Sequence, residues 1–133
     1  MVTNETTPPP VNRRILLIED NAQNSYLVKF LLNKHGWEVI HAEDGPSGLK
    51  LASEIQPALI LLDIQLPGMD GYQVAKALRE QPALDRTPVI AVTSYAMPGD
   101  RERCLASGCT GYLEKPIDPD TFVTDVERFL QPD

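Results

Sequence analysis

Three unbroken apolar runs constrain this chain more than any other feature: "ILLI" at 15–18, "ALILL" at 58–62 and "VIAV" at 89–92. Near-continuous apolar runs are what strands covered on both faces require. Each lies between segments of helical spacing. The spacing predicts a strand over 14–19, then a helix over 22–36 with Tyr26, Leu27, Phe30 and Leu31 in phase, Asn21 as its cap and Gly36 as its stop. A strand at 37–42 follows, then a short helix at 46–55 with Pro46 near its start. The rest reads as a strand at 58–62, a helix at 71–80, a strand at 88–94, a helix at 101–108 and a strand at 111–115. An amphipathic helix over 119–131 closes the chain, with Phe122, Val123, Val126, Phe129 and Leu130 on one face. Strand and helix thus alternate five times. That order predicts an α/β fold with a parallel sheet covered by helices on both faces.

The 133 residues fit one compact domain, and 42% hydrophobic content is enough for a core. Residues 1–12 are polar and Pro-rich and read as a flexible tail; residues 13–131 read as the folded domain. Acidic residues outnumber basic ones, 19 to 12, for a net charge of -7, and no basic stripe points to a nucleic-acid partner. No apolar run approaches the ~20 residues of a membrane span. "MVTNETTPPP" lacks the basic and apolar regions of a signal peptide. The two cysteines, Cys104 and Cys109, are too few for a secreted disulfide framework, and His35 and His41 are too far along the chain to complete a zinc site. They read as partly buried thiols in a reducing, cytoplasmic setting.

The ends of the strands carry the chemistry. The first ends on Glu19-Asp20, the third on Asp63, the fourth on Thr93-Ser94 and the fifth on Glu114-Lys115-Pro116. Parallel strands put these ends on one sheet edge, where ligand sites of open α/β sheets form. Taken singly, each residue has an ordinary role: a helix cap, a loop carboxylate, a strand-end hydroxyl, a solvated lysine. Their joint placement points to one site. Three carboxylates at one place repel and call for a cation, and an oxygen-only set with open positions suits Mg²⁺. A lysine and a hydroxyl facing them suit phosphoryl oxygens, and a carboxylate can itself take a phosphoryl group as an aspartyl phosphate.

The segments "LLIEDN", "LLDIQLPGMDG", "VIAVTS" and "GYLEKPI" together resemble the receiver domain of two-component response regulators, the CheY-like superfamily, over about residues 13–131. "EDNAQN" and "TSYAMPGDRERC" are similar to single-domain regulators of the DivK type and to receivers of hybrid histidine kinases. The resemblance implies a flavodoxin-like (βα)5 sandwich with a five-stranded parallel sheet of order 2-1-3-4-5. It implies Asp63 as phosphoacceptor from a phosphohistidine. Glu19, Asp20, Asp63 and the backbone carbonyl of Gln65 would hold Mg²⁺. Thr93, Ser94 and Lys115 would serve the phosphoryl group, with Tyr112 as the aromatic switch and a cis bond before Pro116. Gln65 and Tyr95 hold positions that tune phosphoryl lifetime in the family, and a bulky Tyr95 would screen the acyl phosphate.

The implied partners are a histidine kinase or histidine phosphotransfer protein, docking near Asn21, Gln23, Asn24 and Tyr26. A downstream protein, or a second copy on phosphorylation, would bind the face of the fourth helix, fifth strand and fifth helix, with Arg101, Arg103, Glu114 and Asp125 exposed. No nucleic-acid or membrane partner is expected, nor enzymatic activity beyond the domain's own phosphoryl transfer and dephosphorylation. Three other readings are weaker. A haloacid-dehalogenase-like phosphatase needs an acid where Gln65 stands. A phosphate-independent binding module would have lost the acceptor or the lysine. A nucleotide-binding flavodoxin-like module needs a Gly-rich loop, and "EDNAQN" has none. The chain reads as a stand-alone regulator or as the receiver of a hybrid kinase.

Overall fold

A computed structural model describes residues 12–94 and 98–130. Five strands, β1 (Arg14–Ile18), β2 (Glu38–Ala42), β3 (Leu59–Asp63), β4 (Val89–Thr93) and β5 (Gly111–Glu114), form one sheet. Its order is β2-β1-β3-β4-β5 and every neighbouring pair is parallel, the flavodoxin-like topology. The helices between them are α1 (Ala22–Lys34), α2 (Gly45–Ile55), α3 (Gly71–Arg79), α4 (Asp100–Ala106) and α5 (Phe122–Arg128). A short 3₁₀ turn at Pro82–Leu84, absent from the sequence reading, precedes β4.

The apolar runs explain the layering. Successive side chains of a strand face opposite ways. Ile15, Leu17, Leu59, Leu61, Ile90 and Val92 pack with Val28, Leu31 and Leu32 of α1 and Phe122, Val123 and Val126 of α5. Leu16, Ile18, Ile60, Leu62, Val89 and Ala91 pack with Ala52 of α2, Val74, Ala75 and Leu78 of α3 and Cys104 of α4. The sheet therefore has a core on each side, and β3 and β4 are buried at every residue. Phe129 and Leu130 lie just past α5 yet still pack on the core, so the apolar face outlasts the helix by two residues.

Caps set where the helices begin. Asn21 Oδ1 accepts from the Asn24 N–H at 2.9 Å, and Asp44 Oδ1 from the Ser47 N–H at 2.8 Å. Asp70 and Gln73 close a reciprocal box at the start of α3, each side chain accepting from the other's backbone N–H. At the end of α1, Gly36 adopts φ +90°, the left-handed stop expected of it.

Two sequence expectations about the core change. Tyr26 and Phe30 do not join the buried stripe of α1: they are 73% and 53% exposed, and Val28, Leu31 and Leu32 take the sheet instead. Helical spacing defines a face but not which of two apolar faces the sheet selects. Cys104 and Cys109 are fully rather than partly buried, and burial pushes the Cys109 thiol up to about 12.

Candidate functional site

The site lies at the carboxyl edge of β1, β3, β4 and β5. β1 ends at Ile18, and the next residue continues its alternation beyond the ladder. The Glu19 N–H donates to the Ala42 carbonyl at 3.0 Å, tying this turn to β2. Its carboxylate Oε2 accepts the Asn21 N–H at 3.2 Å, so the residue that caps α1 also orients Glu19. β3 carries Asp63 as its last residue. The Gln65 N–H donates to Asp63 Oδ1 at 3.0 Å, and the Ile64 N–H to the Val92 carbonyl at 3.2 Å. The loop then turns under the carboxylate. A Cβ on Gly71 would stand 2.5 Å from Ile64 Cα and 2.9 Å from the Asp63 carbonyl, so only glycine lets the chain return this closely. Gly68 supplies a left-handed φ of +78° on the way.

Glu19 and Asp63 are each 3% exposed, while Asp20 faces solvent. One carboxylate oxygen from each of the three lies within 4.8 Å of the others. Lys115 enters from the end of β5, and its Nζ sits 3.2 Å from Glu19 Oε1 and 3.5 Å from Asp63 Oδ1. Its backbone N–H donates to the Thr93 carbonyl at 2.8 Å, and the Lys115–Pro116 peptide is cis. Burial, then a hydrogen bond and like charge from Asp63, push the Glu19 carboxyl up to about 7; Lys115 and the Asn21 N–H pull the other way. One ammonium thus leaves the buried carboxylates short of positive charge. The donor set is all oxygen, with Asp20 on the open side. It fits a small hard divalent cation.

The alternation of the strands sorts the remaining residues. Glu19, Asp63 and Lys115 continue the rows of Leu17, Leu61 and Leu113, which face α1 and α5. Thr93 is buried and continues the row of Val89 and Ala91, which faces α3 and α4. Tyr112 is half-buried on that same side, opposite Ala91 in the ladder. Ser94 is exposed and Gln65 half-buried. Asn21, Gln23 and Tyr26 are exposed beside the mouth and Asn24 is half-buried. Arg101, Arg103 and Glu114 are exposed, whereas Asp125, expected at the surface with them, is half-buried and pairs with Arg128 at 3.9 Å. Tyr95 lies outside the described residues, as do residues 1–11 of the predicted tail; Asn12 hydrogen bonds the Gln56 carbonyl at 2.8 Å.

Sequence reasoning missed His41. Its Nε2 donates to the Glu19 carbonyl at 2.7 Å, bracing the turn that carries the carboxylate. The signal was available: His41 sits one residue from the end of β2, on the same sheet edge as the other site residues.

A doubly wound parallel sheet with three carboxylates and a lysine at its carboxyl edge defines a flavodoxin-like module with an acidic cluster that could hold a metal ion. The response regulator receiver domain matches residues 15–127. The chain belongs to this family, whose members are signalling modules of two-component systems. It is 41% identical over 118 residues to the polar-differentiation response regulator DivK of Brucella anthropi, covering 89% of this chain and 96% of that protein. The chemotaxis protein CheY4 of Vibrio cholerae superposes with a TM-score of 0.85 at 30% identity, over 90% of this chain and 99% of that one. The receiver domain of a sensor histidine kinase from Pseudomonas aeruginosa, with a magnesium ion coordinated in its active site cleft, gives a TM-score of 0.82 at 34% identity, over 90% and 98% of the two chains. No helix among the described residues is long and apolar enough to cross a membrane.

Proposed function

We propose that Asp63 is the phosphoacceptor of a two-component phosphorelay and that its phosphorylation switches protein-partner binding. The observation that carries this reading is the Lys115 ammonium set between Glu19 and Asp63 at the mouth of the sheet. An Asp63 carboxylate oxygen attacks the phosphorus of a phosphohistidine. The N–P bond breaks, its electron pair stays on the imidazole nitrogen, and an acyl phosphate forms. Glu19, Asp20, Asp63 and the Gln65 carbonyl would hold Mg²⁺, which when bound neutralises charge developing on the phosphoryl oxygens. Lys115 would pair with the phosphoryl group, a role supported by its ammonium 3.5 Å from Asp63 Oδ1. Thr93 would meet a phosphoryl oxygen from the α3/α4 side, and Ser94, the residue after β4, would meet another at the mouth.

The coupling runs through that side. Thr93 and Tyr112 share one face of the sheet, so a hydroxyl drawn toward the phosphoryl group leaves room against which Tyr112 repacks. The face of α4, β5 and α5 then binds a downstream protein, or a second phosphorylated copy, differently in the two states. The phosphodonor, a histidine kinase or a histidine phosphotransfer protein, docks beside the mouth at Asn21, Gln23, Asn24 and Tyr26. The protein works in the cytoplasm, as a stand-alone regulator or as the receiver of a hybrid kinase.

Intact mass after incubation with acetyl phosphate and Mg²⁺ tests the reading. One added phosphoryl group is expected, lost in Asp63→Ala and lost with EDTA. No gain in the wild type, with phosphoramidate as a second donor, would overturn it.

A further inference from the structure

Two adjacent residues of β2 hold the backbone of Glu19. Its N–H donates to the Ala42 carbonyl at 3.0 Å. In a parallel ladder the carbonyl of the same residue would accept from the N–H two positions beyond Ala42, that of Asp44. β2 stops at Ala42, however, and Asp44 caps α2 instead. A side chain takes the place of the missing ladder bond: His41 Nε2 lies 2.7 Å from the Glu19 carbonyl oxygen. A carbonyl only accepts, so the neutral ring carries its proton on Nε2.

The three carboxylates at the mouth are not held alike. Glu19 takes the Asn21 N–H and the Lys115 ammonium, and Asp63 takes the Gln65 N–H and the same ammonium. Asp20 is exposed, and no hydrogen bond or ion pair to a described residue fixes its carboxylate. Its aim is therefore inherited from the backbone. The Glu19 carbonyl and the Asp20 N–H belong to one planar peptide, so a bond that fixes the carbonyl also fixes where Asp20 starts. One oxygen from each carboxylate lies within 4.8 Å of the others. Mg²⁺ demands near-ideal octahedral geometry, so such a set tolerates little drift.

We propose that His41 is a positioning residue for the cation: by donating from Nε2 to the Glu19 carbonyl it locks the Glu19–Asp20 peptide and keeps Asp20 in register with Glu19 and Asp63. This rests on the Mg²⁺ reading of the cluster and goes beyond it, because His41 is not among the ligands. Bonds that hold metal ligands from behind typically set affinity by about 10–100-fold. His41 acts through the backbone rather than on a carboxylate, which puts its effect at the lower end of that range.

The test is a Mg²⁺ titration at pH 8 of protein freed of metal with EDTA and then dialysed, followed by the amide NMR shifts of residues 19–21 and 63–65. His41→Leu removes the donor at similar volume and should raise the Kd for Mg²⁺ about tenfold. His41→Gln places a neutral N–H at comparable reach and should recover most of the affinity. Val39→Ala loosens the packing of the same strand away from the turn, and should leave the Kd within about twofold of the wild type. With acetyl phosphate, His41→Leu should need about tenfold more Mg²⁺ for half-maximal phosphorylation yet reach nearly the wild-type rate at saturation, since Asp63 and Lys115 are untouched. Imidazole nitrogen NMR of the wild type should place the proton of the neutral ring on Nε2. A His41→Leu Kd within about twofold of the wild type would overturn the proposal. So would an equal loss in Val39→Ala, or a His41→Gln protein as weak as His41→Leu, because strand stability or ring packing would then account for the effect. A wild type that binds no Mg²⁺ would instead remove the cation reading, and the proposal with it.

Discussion

The raised Glu19 carboxyl makes a quantitative prediction about folding. Burial, with Asp63 beside it, moves Glu19 from the ordinary value of 4.5 to about 7 in the metal-free protein. The folded state therefore holds a proton that the unfolded chain has already released between those values. The contribution is fully present below about pH 4.5 and is lost as the pH rises through 7. Each tenfold difference in proton affinity is worth ~1.4 kcal/mol, so the loss amounts to about 3 kcal/mol. That is a large share of the ~5–15 kcal/mol stability of a typical domain. Asp44, held below its ordinary 3.8 by the Ser47 amide, acts in the opposite sense, but only where the pH falls below that value. The assay is urea unfolding in EDTA at pH 5, 6, 7 and 8. Stability should decline across the series in the wild type. Glu19→Gln, which cannot ionise, should remove most of the slope and be the more stable protein at pH 8. Mg²⁺ at about a hundred times its Kd should restore ~2.7 kcal/mol at pH 8, since it binds only the folded cluster. A flat wild-type profile in EDTA, or a slope that survives in Glu19→Gln, would refute this account of the buried carboxylates.

Other perturbations follow from the same geometry. Lys115→Met removes the ammonium 3.2 Å from Glu19, so the Glu19 titration followed by carboxyl-carbon NMR should move to still higher pH. Gly71→Ala drives a Cβ into the backbone of Ile64, and should cost about 1–3 kcal/mol in urea unfolding while disordering the Asp63 loop. Asp70→Ala removes the reciprocal box that starts α3, and should cost about 1 kcal/mol, with hydrogen exchange rising first at the amides of Gln73 and its neighbours.

Much of this protein is legible in its sequence because the relevant physics is local. Strand and helix periods, the cap at Asn21 and the stop at Gly36 depend on residues within a few positions of one another. The five-fold alternation then restricts the sheet to parallel pairing, and the polar residues at the strand ends fall on one edge. Those local rules are enough to single out Glu19, Asp20, Asp63, Thr93 and Lys115.

What the tertiary structure decided is everything that depends on register and competition for burial. Whether Glu19, Asp63 and Lys115 share one side of the sheet while Thr93 and Tyr112 share the other follows from pairings such as Asp63 with Val92 and Ala91 with Tyr112. A one-residue slip would exchange every face. The brace from His41 to the Glu19 carbonyl exists only because β2 pairs beside β1. The outward turn of Tyr26 and Phe30 was equally hidden. α1 has apolar residues on two sides, and the sheet can bury only one of them. Sequence spacing cannot rank two such stripes; the packing of Val28, Leu31 and Leu32 into the core made the choice and left the aromatic pair at the surface.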